Sequence, residues 1–269
     1  MTKKEVCFHG LSTVNVELSS RCNKRCWMCG RRKMEQTHPH LCNWCDMPLN
    51  MVKSIARQLP PNIIVQLHNN GESLMHPQFG EAVKQFTHQY RCLDTNGKLL
   101  IDKAYEIIDN LDSITISVFQ DDPEQDEQYE IVKQFLSMKQ DKQPLMVYRL
   151  LGNVEPSRWE KLPGIIVTRL LHSPDGSFSY SSSPTRPEIG VCLDLLHHLV
   201  VDRRGNVSIC VRFDPHAYGF LGNLMNDKLV DLWNSPKRKR LISEHFHGNR
   251  KGNRLCKSCE YWGCPTGWR

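Results

Sequence analysis

Residues 11–29 read LSTVNVELSSRCNKRCWMC, a loosely alternating apolar run that leads into three cysteines. The run Leu11–Leu18 has the two-residue period of a strand. Cys22, Cys26 and Cys29 follow at C-x3-C-x2-C spacing, with basic residues between and beyond them. Thiolates bind iron–sulfur clusters, and a [4Fe–4S] cube takes four ligands. A compact loop that offers three leaves one iron open to a small molecule. The competing reading is a zinc loop short of one ligand. Structural zinc, however, uses paired C-x2-C knuckles rather than a triplet after a strand.

Working outward, residues 31–48 are polar and rich in His, Cys and Trp, and read as a long loop. A helix is expected over 51–58, stopped by Pro60 and Pro61. Ile63–Leu67 is a short, continuously apolar run with the character of a buried parallel strand. The turn Asn69–Glu72 follows it. Helices are then expected at 78–89, 102–109 and 126–138, and strands at 91–94, 113–118, 145–150 and 164–171. Strands that alternate with helices call for an α/β fold whose parallel sheet curls into a barrel or an open fan.

Beyond Ser173 the rhythm changes. Pro, Ser and Gly are dense over 173–187, as in a linker. Residues 199–202 and 207–211 read as a β-hairpin turning at Gly205. A helical stretch over 229–245 carries the basic run Lys237–Arg240, and the tail holds Cys256, Cys259 and Cys264. No internal repeat is visible. The division that follows is an α/β domain over 1–172 and a linker with a small second domain over 173–269.

Composition narrows the class. With 269 residues, 39% of them hydrophobic and 24% charged, the chain is expected to fold as a globular protein. No run of eighteen apolar residues appears, and the start, MTKKEVCFHG, has no apolar stretch of a secretory signal. A cytoplasmic location is the expectation. There, twelve cysteines at short spacings read as metal ligands rather than as disulfides. A net charge of +6 permits an acidic partner without demanding nucleic acid.

The CxxxCxxC loop after the first strand resembles the signature of the radical S-adenosylmethionine (SAM) superfamily, and the similarity runs over 11–172 in strand–helix order. The resemblance implies a partial (β/α)6 barrel. It also implies a [4Fe–4S] cluster on Cys22, Cys26 and Cys29 whose open iron binds the amino and carboxylate groups of SAM. Reduction then cleaves SAM to methionine and a 5′-deoxyadenosyl radical. Gly71–Glu72 resembles the family's GGEP motif, which meets the SAM amino group, although Asn70 and Ser73 depart from it. Ser117, at the end of the fourth strand, falls where the family contacts the SAM ribose. Arg149, at the end of the fifth, is placed to pair with the SAM carboxylate. Read without the resemblance, Ser117 and Arg149 are equally well strand-end polar residues facing water. Barrel sites nonetheless gather at the carboxyl ends of strands.

Cys192 and Cys210 flank the hairpin in the pattern C-x12-G-x4-C, and Cys256 and Cys259 form a C-x2-C near the end. Four thiolates so placed suit zinc as well as a cluster. The arrangement resembles the twitch domain, a shortened SPASM domain. Leu221–Gly222–Asn223 and Leu232–Trp233–Asn234–Ser235 are similar to its LGN…WNS linkers. The resemblance implies an auxiliary [4Fe–4S] cluster on Cys192, Cys210, Cys256 and Cys259, with no ligand role for Cys264. His38, His40, Cys42 and Cys45 lie close enough in sequence for a zinc site, but their density favours a loop that covers the SAM pocket. Cys7 and Cys92 read as small apolar residues.

The expectation is a two-electron oxidation (dehydrogenation), as in twitch-domain members that oxidise alcohols. A residue such as His172, Glu188 or Asp214 would take the proton, and a flavodoxin or ferredoxin-type protein would supply the electron. Related domains also occur in peptide-modifying enzymes, and a rearrangement of a nucleotide or modified base is a further alternative. From another class, a non-catalytic zinc protein that binds nucleic acid predicts colourless protein and salt-dependent binding. A full α/β scaffold weighs against it. The basic run Lys237–Arg240 reads as a solvated helix face, open to an acidic electron carrier or to nucleic acid.

Overall fold

The computed structural model describes residues 7–169, 171, 191–210, 214, 216–249, 252–257 and 259. Strands β1 (Thr13–Val16), β2 (Ile64–Gln66), β3 (Tyr90–Thr95), β4 (Ser113–Phe119), β5 (Leu145–Leu151) and β6 (Ile165–Arg169) pair in sequence order, all parallel. Helices α2 (Leu49–Gln58), α3 (Phe79–Val83), α4 (Ala104–Ile107) and α5 (Gln125–Lys139) connect them. This is the open, partial barrel that the alternating pattern calls for. Helix α1 (Arg31–Thr37) stands where a loop was expected. Its segment RRKMEQT is made of good helix formers, and only the His/Cys-rich stretch behind it suppresses the periodic signal.

Side chains alternate between the two faces of each strand. One face carries Val14, Leu93, Ile114, Ile116, Met146 and Tyr148, all buried in the core with Val52 and Ile55 of α2, Val83 of α3 and Phe135 of α5. In the registered rows of the other face stand Gln66, Cys92 and Ser113, then Asp94, Thr115 and Val147, then Ser117, Arg149 and Val167. The inner face of the fan is therefore polar at the carboxyl ends of its strands.

The C-terminal part extends the same sheet. After α6 (Leu193–His197), strand β7 (His198–Val201) lies parallel to β1, pairing Thr13 with His198 and Val16 with Val201. Strands β8 (Asn206–Ser208) and β9 (Phe220–Asn223) follow antiparallel, which completes a nine-stranded sheet. The motif Leu221–Gly222–Asn223 is thus a strand, which the sequence reading left as a linker. The helical stretch over 229–245 is two helices, α7 (Leu229–Trp233) and α8 (Pro236–Phe246), and the short α9 (Arg254–Lys257) follows.

The basic run is not a fully solvated face. Arg238 is buried over the Trp233 ring and donates to the carbonyls of Leu195, Leu196 and Trp233, and Lys237 donates to the Phe220 carbonyl. Burial lowers the Arg238 guanidinium to about 10. Among the described residues no helix is long and apolar enough to cross a membrane. The 173–187 stretch, His172, Glu188 and Cys264 lie outside the described residues.

Candidate functional site

The cysteine loop leaves the carboxyl end of β1 and is clamped at its root. Ser20 exchanges hydrogen bonds with the Cys45 backbone, and Arg21 grips Asp46 through two contacts of 3.0 and 2.7 Å. Gly71 presses on the same root: a Cβ there would stand 2.1 Å from the Ser19 carbonyl oxygen, so only glycine fits. Glu72 is fully buried and accepts from the backbone N–H groups of Leu74 and Asn96 at 3.1 and 2.9 Å. Burial raises its carboxyl above the ordinary range. The Gly71–Glu72 pair therefore supports the cysteine loop from beneath.

Two cations flank the thiols. Lys24, between Cys22 and Cys26, is nearly buried and binds Asp122 at 2.5 Å and Glu124 at 3.4 Å, which ties the loop to the β4–α5 connection. Arg31 stacks on Trp44 at 4.1 Å and donates to the Asn70 carbonyl. Beside Cys26 opens a cleft of about 290 Å³ lined by Lys24, Trp27, Met28, Phe119 and Asp122.

Burial pushes the Cys26 thiol up to about 12; Lys24 pulls it down, while Cys29 and Cys22 add to the rise. Burial raises Cys22 as well. Three half-buried free thiols thus share one short loop, and their thiolate forms call for positive charge that the protein supplies only in part. Irons would supply the rest, and the donor set fits a cluster. Among the described residues no group of three or more His, Cys, Asp or Glu is disposed to hold a single ion. Thiolates on a cube each take a different iron and need not converge on one point. The loop that carries His38, His40, Cys42 and Cys45 lies against the C-terminal part, where the His38 ring meets the edge of His216 at 4.9 Å and His216 stacks on Tyr218. That contact suits a cover.

On the inner face the buried Asp94 carboxylate gathers its neighbours. Gln66 donates to it at 2.6 Å, Arg149 pairs with it, and the His68 Nε2 lies 3.5 Å away. Burial would raise Asp94, but His68 and Arg149 outweigh it and hold the carboxyl below the ordinary range. Arg149, expected from the resemblance to meet a SAM carboxylate, is engaged here with a protein carboxylate. Ser117 stands beside it in the same row. His68 and Asp94 escaped the sequence reading. Their signal was available, since both lie at the carboxyl ends of barrel strands.

The second thiol group surrounds a small apolar core. Leu195, Ile209 and Leu241 are buried there, with Cys192 and Cys210 packed against them. Burial pushes Cys192 up to about 12, and Cys259 adds to the rise. Cys256 and Cys259 close one turn, with Cys259 N–H donating to the Cys256 carbonyl. Leu255 packs on the Gly219 turn beside Ile209 and brings that knuckle to the hairpin. Asp214 lies in the same turn, where it accepts from the N–H groups of Tyr218 and Gly219 at 3.0 and 2.8 Å, and burial raises its carboxyl.

Comparison with known proteins fits this geometry. Residues 192–260 match SPASM, described as an iron–sulfur cluster-binding domain. No curated protein matches the sequence. Among solved structures, BtrN in complex with AdoMet and 2-DOIA superposes with a TM-score of 0.60 at 17% identity, covering 93% of this chain and 92% of that one. Streptococcus suis SuiB bound to precursor peptide SuiA superposes with a TM-score of 0.64 at 12% identity, covering 95% and 72%. SuiB bound to S-adenosylmethionine gives 0.63 at 12% identity, covering 95% and 73%. These likenesses bear out the fold and the iron–sulfur character of the C-terminal part.

Proposed function

We propose that this chain, with its SPASM-type iron–sulfur domain joined to a partial barrel, is a radical SAM enzyme that oxidises a polar substrate by two electrons. The observation that carries the reading is the gathering of the half-buried Cys22, Cys26 and Cys29 on one short loop at the carboxyl end of β1. Cys192, Cys210, Cys256 and Cys259 would hold an auxiliary [4Fe–4S] cluster. When bound, the first cluster and SAM would supply radical chemistry for removing a substrate hydrogen atom, and the auxiliary cluster would supply an acceptor for the second electron.

The chain's own residues bind, orient and move a proton. Lys24, Arg31 and Glu72 hold the cysteine loop. Ser117, in the Arg149 row of the inner face, would meet SAM. The Asp94–Arg149 pair gives a charged floor that selects a substrate able to hydrogen-bond. His68, backed by Asp94, is the described side chain on that floor suited to take a hydroxyl proton, with Asp214 as the alternative from the C-terminal part. The electron comes from a flavodoxin or ferredoxin-type donor.

The test is anaerobic incubation of reconstituted, dithionite-reduced protein with SAM. Equimolar 5′-deoxyadenosine and methionine are expected, and their loss in Cys26→Ala. Absence of cleavage by the wild type would contradict the reading.

A further inference from the structure

We infer that Asn96 donates a side-chain N–H to the Cys22 sulfur and raises the reduction potential of the N-terminal cluster, with Glu72 as the residue that positions it. The inference rests on the reading of Cys22 as a cluster ligand and adds a residue that sets its electronics.

Asn96 is buried directly after β3 and is fixed on every side. Its backbone N–H donates to the buried Glu72 carboxylate at 2.9 Å, and its carbonyl accepts from Gln128 at 2.8 Å. Its Oδ1 accepts from the Lys98 N–H at 3.0 Å. That contact decides which end of the amide is which, because Oδ1 must face the donor. The Nδ2 then points at the cysteine loop, with the Asn23 Oδ1 at 2.9 Å and the Cys22 Sγ at 3.9 Å. A buried amide nitrogen needs an acceptor for each of its two hydrogens. One goes to Asn23, and the sulfur takes the other across the longer distance its radius imposes.

A hydrogen bond to a ligating sulfur spreads its negative charge. It stabilises the reduced cluster, which carries one more electron, and so raises the potential. Glu72 acts by position. It holds the Asn96 backbone while Gly71, its neighbour, presses on the loop root, so one turn sets both the loop and its donor.

The test is a potentiometric titration of the reconstituted holoprotein, following the part of the reduced EPR signal that changes on addition of SAM. Asn96→Leu removes the amide at similar volume. Asn96→Asp keeps the acceptor for Lys98 but donates nothing to sulfur. Both are expected to shift the midpoint to more negative potential, Asp further than Leu because it adds charge. The auxiliary signal, unchanged in both, shows that the fold survives. Potentials equal to the wild type in either folded variant would overturn the inference and leave the radical SAM reading standing. A wild-type protein with no SAM-responsive signal would overturn that reading, and this inference with it.

Discussion

The Asp94–Arg149 pair sits at the carboxyl end of the sheet with its carboxylate almost out of water. Because the folded-state carboxyl is held below its ordinary value, it stabilises the fold fully above the usual aspartate range, about 3.9. That contribution is lost as pH falls through the depressed value. In Arg149→Met the buried carboxylate loses its guanidinium partner and keeps His68 and Gln66 beside it, and the loss of stability at pH 7 should be about 3 kcal/mol. Burial then lifts the carboxyl, which takes up a proton on acidification, so the gap to the wild type should narrow between pH 7 and pH 5. Urea denaturation at both values checks this. A gap of constant size would mean that the pair carries no net charge interaction. The pairing was invisible in the sequence because its members lie 55 residues apart. Cys22, Cys26 and Cys29 were legible because a ligand triplet advertises itself by local spacing.

Among the elements, the segment Leu232–Ser235 explains its own composition. Trp233 is buried and donates its indole N–H to the His9 carbonyl at 3.1 Å, and Asn234 donates to the Cys7 carbonyl at 2.9 Å. The Ser235 hydroxyl accepts from the Arg238 N–H and caps α8, with Pro236 as its first residue. Together they bind the C-terminal part to the segment that leads into β1. Trp233→Phe keeps most of the apolar volume but strands the His9 carbonyl, and should cost about 1–2 kcal/mol. The shift in denaturant midpoint measures it, and an unchanged midpoint would remove the tie. The Pro236 signal for a break between α7 and α8 was present in the sequence, but continuous apolar spacing masked it. The order of β1–β6 was legible, since each strand has its own apolar run. Strand β9 was not, because a four-residue stretch containing glycine has little strand character.

For the whole molecule, the sheet does not stop at the expected domain boundary. Strand β7 covers the edge of β1, and Arg203, in the β7–β8 turn, meets the fully buried Glu17 at the end of β1 at 3.3 Å. Parallel pairing between strands so distant in sequence leaves no local trace. It sets Cys192, at the start of α6, and Cys210, just after β8, beside the strand that leads into the first cysteine loop. The central claim is therefore that the chain holds two clusters. Iron and acid-labile sulfide in anaerobically reconstituted protein test it most directly, with Cys22, Cys26 and Cys29 replaced together by alanine in one variant. The account predicts about eight irons in the wild type and about four in the variant, in equal proportion with sulfide. A variant without iron that retains zinc at Cys192, Cys210, Cys256 and Cys259 would contradict it.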